Sequence, residues 1–158
     1  MDMKKIIFLD FDGVMVTDKY LTQLMADGYS IEDEYGSFFD SDCVKNLKEI
    51  IDLTDAEIVV TSTWKMTLGL DGLQAMWETR NLPGKVVGVT PDIDTVHRGD
   101  EIAAWLAVNP SVVSYVIIDD YPILDFFRED QLQHLFKVDE MVGLDEETVK
   151  KVIDKLFR

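Results

Sequence analysis

Residues Ile6-Ile7-Phe8-Leu9-Asp10-Phe11-Asp12-Gly13-Val14 constrain this chain more than any other stretch. An apolar run without polar alternation predicts a strand over about residues 4–10, buried on both faces of a parallel sheet. The run ends abruptly in two carboxylates and a glycine. In open α/β sheets the carboxyl ends of the strands face the crevice where ligands bind. Asp10 and Asp12 lie two apart, so in extended chain they point the same way, with Phe11 opposite. Gly13 permits a sharp turn and a close approach to the backbone. Two acids at a buried strand tip need a counter-charge, because uncompensated buried charge is costly. A divalent cation is the simplest supply.

The rest of the chain repeats the pattern of apolar run, polar tip and helix. The segment 14–40 mixes Tyr20, Tyr29, Tyr35, Phe38 and Phe39 with acids and two glycines. It is too aromatic for a free linker and reads as a flap or small lid beside the acidic tip. A helix follows from Ser41, with Ser41 or Asp40 as its N-cap. Glu57-Ile58-Val59-Val60-Thr61 is a second buried strand that runs into Ser62-Thr63-Trp64-Lys65. The spacing of Leu70, Leu73, Met76 and Trp77 predicts a helix over about 67–80, stopped by Asn81-Leu82-Pro83-Gly84. Lys85–Val89 is a short third strand, and Thr90-Pro91-Asp92-Ile93-Asp94 a loop. A helix over about 97–108 ends at Asn109-Pro110. Ser114–Ile118 is the fourth strand, running straight into Asp119-Asp120, and His134–Val138 a shorter fifth. The last helix opens at Leu144-Asp145-Glu146-Glu147-Thr148, with acids in its first turn and Lys150, Lys151, Lys155 and Arg158 later, matching the helix dipole.

Strands that alternate with helices predict βαβ units with right-handed crossovers. The expected architecture is a Rossmann-like three-layer α/β sandwich of about five parallel strands. No repeat, low-complexity tract or second-domain boundary is visible. One domain over 1–158 is expected, with the flap at about 14–40.

Composition narrows the function. A net charge of −16 disfavours an extended track for DNA or RNA, whose phosphates an acidic surface repels. It does not forbid a local basic pocket, or a cation that inverts the sign of a site. Cys43 stands alone, so neither an intrachain disulfide nor a zinc cluster can form. The N-terminal apolar run is short and broken by Asp10, unlike a signal peptide or a membrane span. A cytoplasmic protein without a membrane partner is the expectation.

Three strand tips carry polar groups: Asp10 and Asp12, Thr61 and Ser62, and Asp119 and Asp120. On one parallel sheet they share an edge. Such an oxygen-lined site suits Mg²⁺ better than zinc. Arg98 could add a positive charge near a helix start, with Lys65 as its rival; either favours phosphate. A cation, a nucleophilic carboxylate, a second acid, a hydroxyl and a basic group add up to phosphoryl transfer. Each residue also has a plainer reading. Strand-end acids often serve turns, Thr61 suits any strand, and a lone arginine is usually a surface residue. Trp64 is more readily a packing residue than a base-stacking one. His97 and His134 have no assigned role, Asp92 and Asp94 solvate a loop, and Cys43 is a small core residue.

At this point the sequence resembles the haloacid dehalogenase (HAD) superfamily of Mg²⁺-dependent phosphohydrolases. Asp10-Phe11-Asp12-Gly13-Val14 is similar to its first motif and Thr61 to its second. Arg98 is similar to the basic residue of the third, and Asp119-Asp120 to the fourth. The texture of Ile58–Lys65, Gly88–Pro91, Arg98–Ile102, Trp105-Leu106 and Val116–Asp120 is closer to one branch. That branch is the small HAD domains of multi-domain, Swiss-army-knife RNA-repair proteins and of stand-alone bacterial and phage proteins. The resemblance implies that Asp10 is the nucleophile of an aspartyl-phosphate mechanism and Asp12 the acid/base. It implies Mg²⁺ held by the Asp10 carboxylate, the Asp12 backbone carbonyl and Asp119, with Asp120 as a further ligand or orienter. Thr61, or Ser62 in its place, would bind the phosphoryl group; Arg98, or Lys65, would neutralise it. The 14–40 segment is too short for a large cap, which implies a minimal cap and an open site. The implied activity is phosphomonoester hydrolysis on a small phosphorylated substrate. A nucleotide or nucleic-acid-end phosphatase and a non-catalytic phosphate- or metal-binding module are the rivals. Retention of both Asp10 and Asp12 speaks against the last, because binding alone needs no acid/base.

Overall fold

A computed structural model describes residues 3–93, 97–122 and 126–157. Its centre is the strand that the first apolar run predicts, β1 (Lys4–Leu9). Ile6 and Phe8 bury on one face of the sheet, Ile7 and Leu9 on the other, all at full burial. A strand with two dry faces can only lie inside a sheet covered on both sides. The other main-sheet strands are β4 (Glu57–Val60), β5 (Val86–Val89), β6 (Val112–Asp119) and β7 (Leu135–Lys137). Their order is β5-β4-β1-β6-β7, and every pairing is parallel. This is the expected Rossmann-like three-layer arrangement.

Helices α2 (Ser41–Thr54), α3 (Trp64–Thr79) and α5 (Glu146–Leu156) supply Cys43, Leu47, Ile50, Leu73, Met76, Trp77, Val149 and Val152 to the core on the Ile7/Leu9 face. Helix α4 (Arg98–Ala107) covers the opposite face, where Ile102 meets Ile6, Phe8 and Ile117. Trp105 and Tyr115 both meet the Phe8 ring edge-on, at 5.6 Å. The chain therefore steps outward from β1 through β4 to β5, then returns through α4 to β6 on the other side of β1. That reversal opens a crevice at the carboxyl ends of β1 and β6, the place where such sheets bind ligands.

Element boundaries differ from expectation where hydrogen bonds outweigh periodicity. Asp40, not Ser41, caps α2, its side chain accepting from the Asp42 amide. Helix α3 begins three residues early, because the Ser62 hydroxyl accepts from the Trp64 amide. It also bends at Gly69, where φ is 65°. The segment 14–40 holds α1 (Asp18–Ala26) and a short antiparallel hairpin of β2 (Glu32–Asp33) and β3 (Gly36–Ser37). The loop reading of Asp92 holds, whereas Asp94 lies outside the described residues. Cys43 is buried and His134 stacks on Tyr115, so both fit structural roles. No helix among the described residues is long and apolar enough to cross a membrane.

Candidate active site

The strand order places the three polar tips side by side. The Thr61 amide donates to the Leu9 carbonyl at 3.0 Å, and the Asp10 amide to the Ile118 carbonyl at 3.2 Å. The tips of β4, β1 and β6 are thus one hydrogen bond apart. Asp10 and Asp119 are both buried, and Asp120 is half-buried. One carboxylate oxygen from each of the three lies within 4.8 Å of the others. Gly13, at φ +79°, makes this packing possible, because a Cβ there would collide with the Asp120 carboxylate.

Arg98, the first residue of α4, answers this acid cluster. Its Nη1 donates to Asp119 Oδ2 at 2.7 Å and lies 3.1 Å from Asp10 Oδ1. Burial opposes its charge, but Asp10 and Asp119 outweigh that and hold its pKa above the ordinary value. The first turn of α4 is seated closely. Gln131 Nε2 donates to the Gly99 carbonyl at 2.8 Å, and a Cβ on Gly99 would clash with Gln131 and with the 127–128 backbone. Burial pushes the Asp10 carboxyl up to about 7; Arg98 opposes the rise, and Asp119 and Asp120 add to it. Burial raises Asp120 as well, with Asp119 contributing. An acid cluster that one guanidinium cannot fully compensate is a fitting place for a divalent cation. The donors are all oxygens, which suits hard Mg²⁺.

The remaining predicted residues separate. Thr61 is 1% exposed, and its Oγ1 has no hydrogen-bond partner. Ser62 is equally buried, but its hydroxyl is engaged with the Trp64 amide. Lys65 is buried beyond the acid cluster. Its Nζ donates to Thr90 Oγ1 and to Glu101 Oε1, both at 2.8 Å. Side-chain exposures of 6% and 12% make Lys65–Glu101 a buried ion pair between α3 and α4, three residues along α4 from Arg98. Asp12 is exposed and outside the carboxylate cluster, which leaves its backbone as the expected metal contact. Its Oδ2 accepts from the Trp64 indole N–H at 3.4 Å. Phe11 points the other way, into the core against Phe39, Trp64 and Trp77.

Sequence reasoning missed Glu101, Thr90 and Gln131, which fix Lys65 and α4. It also missed Arg80, which holds the 32–37 hairpin. None carries a local signal, because each acts on a residue far away in the chain.

Parallel sheet, minimal insert and acid-tipped crevice together define a HAD-like α/β domain. The chain belongs to the family described as the HAD domain in Swiss Army Knife RNA repair proteins, which matches residues 6–149. No curated protein and no solved structure matches it. Family membership points to phosphatase-type hydrolytic chemistry.

Proposed function

We propose that the protein is a Mg²⁺-dependent phosphatase that hydrolyses phosphomonoesters through an aspartyl-phosphate on Asp10. The observation that carries this reading is the Thr61 hydroxyl. It is buried, without a hydrogen-bond partner, one strand from Asp10. A buried hydroxyl left unsatisfied costs free energy, so its place favours an acceptor that arrives with substrate. A phosphoryl oxygen on Asp10 is such an acceptor.

The chemistry divides among residues already placed. The Asp10 carboxylate attacks phosphorus as the bond to the ester oxygen breaks. Asp12, exposed at the mouth, gives a proton to that oxygen. Asp12 then takes a proton from water, whose oxygen attacks the phosphorus of phospho-Asp10. Inorganic phosphate leaves and both carboxyl groups return to their starting state. Thr61 donates to the phosphoryl group and Arg98 offsets its charge throughout. The Asp10, Asp119 and Asp120 carboxylates and the Asp12 carbonyl would hold Mg²⁺, which when bound supplies positive charge to the reacting phosphate. Asp10 needs that charge, because a carboxyl with its pKa at about 7 is substantially protonated at neutral pH.

We read the whole chain as one such domain, with the 14–40 segment as its flap. The substrate is a small phosphomonoester. A nucleotide or a nucleic-acid end is the second reading, favoured by the family's description as a domain of RNA repair proteins. A net charge of −16 disfavours an extended polynucleotide track in either case. A lone, buried cysteine is compatible with the reducing cytoplasm. The test is hydrolysis of an aryl phosphate, which should require Mg²⁺ and vanish in Asp10→Asn. Neither turnover nor beryllofluoride binding with Mg²⁺ in the purified protein would end the enzyme reading. Beryllofluoride binding without turnover on any phosphomonoester would favour the non-catalytic module.

A further inference from the structure

The contact between Trp64 and Asp12 belongs to a longer chain of contacts. Trp64 opens α3, and its indole N–H reaches Asp12 Oδ2 at 3.4 Å. Its ring is held from two sides. Phe11 meets it edge-on at 5.2 Å, with Phe39 at 6.0 Å. On the hairpin, a Cβ added to Gly36 would lie 3.0 Å from the Trp64 ring, and Gly36 sits at φ +134°. The hairpin backbone therefore rests against the indole at a position where a side chain would crowd it.

That hairpin is fixed. Arg80, at the end of α3, donates from Nε to Asp33 Oδ2 at 2.9 Å and from Nη2 to Asp33 Oδ1 at 2.6 Å. It also donates to the Gly36 carbonyl at 2.9 Å and to the Ser37 carbonyl at 3.2 Å. Its guanidinium lies over the Phe38 and Phe39 rings. A bidentate, largely buried arginine pair is among the stronger polar ties a protein makes. Tyr35 adds a hydroxyl contact to Thr79 at 3.2 Å. Held at this many points, the hairpin is built as a wall.

We propose that Trp64 is a positioning residue for Asp12, and that the Arg80-pinned hairpin is the wall that holds Trp64 in place. The kinetic role rests on the phosphatase reading given above; the contact itself does not. Asp12 is exposed where the chain enters a turn, its backbone bridged to Val16, and the indole N–H restricts where its carboxylate points. The leaving oxygen and the incoming water take the same position opposite Asp10 in the two half-reactions, so one held orientation serves both. Catalysis then depends on a tie whose far end, Arg80, touches no reacting atom.

Two measurements on the full chain test this. The protein has three tryptophans, so ¹⁵N-labelled protein gives three indole signals, and Trp64→Phe assigns one of them. Asp12→Asn should shift the Trp64 indole signal, and so should Arg80→Met, with Trp105 as the unmoved reference. An unmoved Trp64 signal in Asp12→Asn overturns the contact. For the kinetic role, Trp64→Phe keeps an aromatic ring at the position but loses the N–H. It should lower kcat for an aryl phosphate with Mg²⁺ roughly tenfold, the value of about one hydrogen bond, with KM changed less than about twofold. Arg80→Met should move kcat in the same direction, and the double variant should be no worse than the worse single one. Asp33→Asn replaces Arg80→Met if the latter does not fold. A wild-type kcat in Trp64→Phe, or additive losses in the double variant, overturns the positioning role. If the unsubstituted protein turns over no phosphomonoester, the phosphatase reading and the kinetic role fall together. The indole signals then still decide whether the contact exists.

Discussion

Replacing Thr61 by valine separates the site from the fold, because the two respond in opposite directions. Thr61 is 1% exposed, and its Oγ1 has no hydrogen-bond partner, so the hydroxyl contributes desolvation cost and no bond. Valine nearly reproduces its shape and its β-branch, which suits the end of a strand. A buried donor without a partner costs about 1–3 kcal/mol. Thr61→Val should therefore stabilise the protein by about 1 kcal/mol, raising Tm by roughly 2–4 °C in a chain of this size. Ordinary polar substitutions at strand tips do the reverse. Activity should move the other way. A hydrogen bond to a charged group contributes about 1.5–3 kcal/mol, so its loss should lower kcat/KM roughly 10- to 150-fold. Thr61→Ser keeps the hydroxyl and should retain most activity at slightly lower stability. The assay is thermal unfolding in EDTA beside aryl phosphate turnover in Mg²⁺. A Thr61→Val protein that is destabilised by about 1 kcal/mol or more, or that turns over like wild type, would refute the argument that the hydroxyl is reserved for a ligand.

Three further outcomes follow from the same geometry. The Asp10 carboxyl rises from 3.8 to about 7 on folding, mainly by burial, so its contribution is fully present below 3.8 and is lost as pH rises through about 7. That difference corresponds to about 4 kcal/mol. Metal-free wild type should thus lose Tm relative to Asp10→Asn between about pH 4 and pH 7, and Mg²⁺ should restore it mainly above pH 7; parallel profiles in EDTA would contradict this. Asp12→Asn should slow turnover about 100-fold or more while calorimetry still shows Mg²⁺ binding, because the expected metal contact is a backbone carbonyl. Lys65→Met should destabilise by roughly 3–5 kcal/mol in urea unfolding by stranding Glu101, and Lys65→Met/Glu101→Leu should recover most of it.

The parts of this protein that were legible in its sequence are those in which local pattern and tertiary role coincide. The first strand reads correctly because Ile6 to Leu9 are buried on both faces, and a doubly buried strand must be apolar throughout. The strand tips read correctly for the same reason, since each carboxylate or hydroxyl interrupts an apolar run. The hairpin did not, because β2 and β3 are two residues each and show no period. Its order comes from Arg80, far along the chain. The early start of α3 was hidden too. Ser62-Thr63-Trp64 looks like a loop until the Ser62 hydroxyl is seen to take the Trp64 amide.

The choice between the two basic residues shows where pattern ends and charge balance begins. Sequence puts Arg98 first and keeps Lys65 as its rival, and the structure sets both in the first turn of a helix near the sheet edge, so helix position does not separate them. Helix α3 covers the Ile7/Leu9 face, and α4 the other. The Lys65 ammonium already has Glu101, so its charge is spent within the fold. The Arg98 guanidinium faces Asp10 and Asp119 with Asp120 behind them, so the cluster holds more acids than its one cation can balance. A phosphate dianion entering that cluster would meet a net negative charge, and at short range within a protein like-charge contacts are costly. The side chains alone therefore oppose the ligand that Thr61 and Arg98 are placed to bind. Two positive charges would make the site neutral before substrate arrives, which is what one divalent cation supplies. Inorganic phosphate, which EDTA does not sequester, should accordingly raise Tm only with Mg²⁺ present, and a shift of the same size in EDTA would mean that the arginine alone suffices.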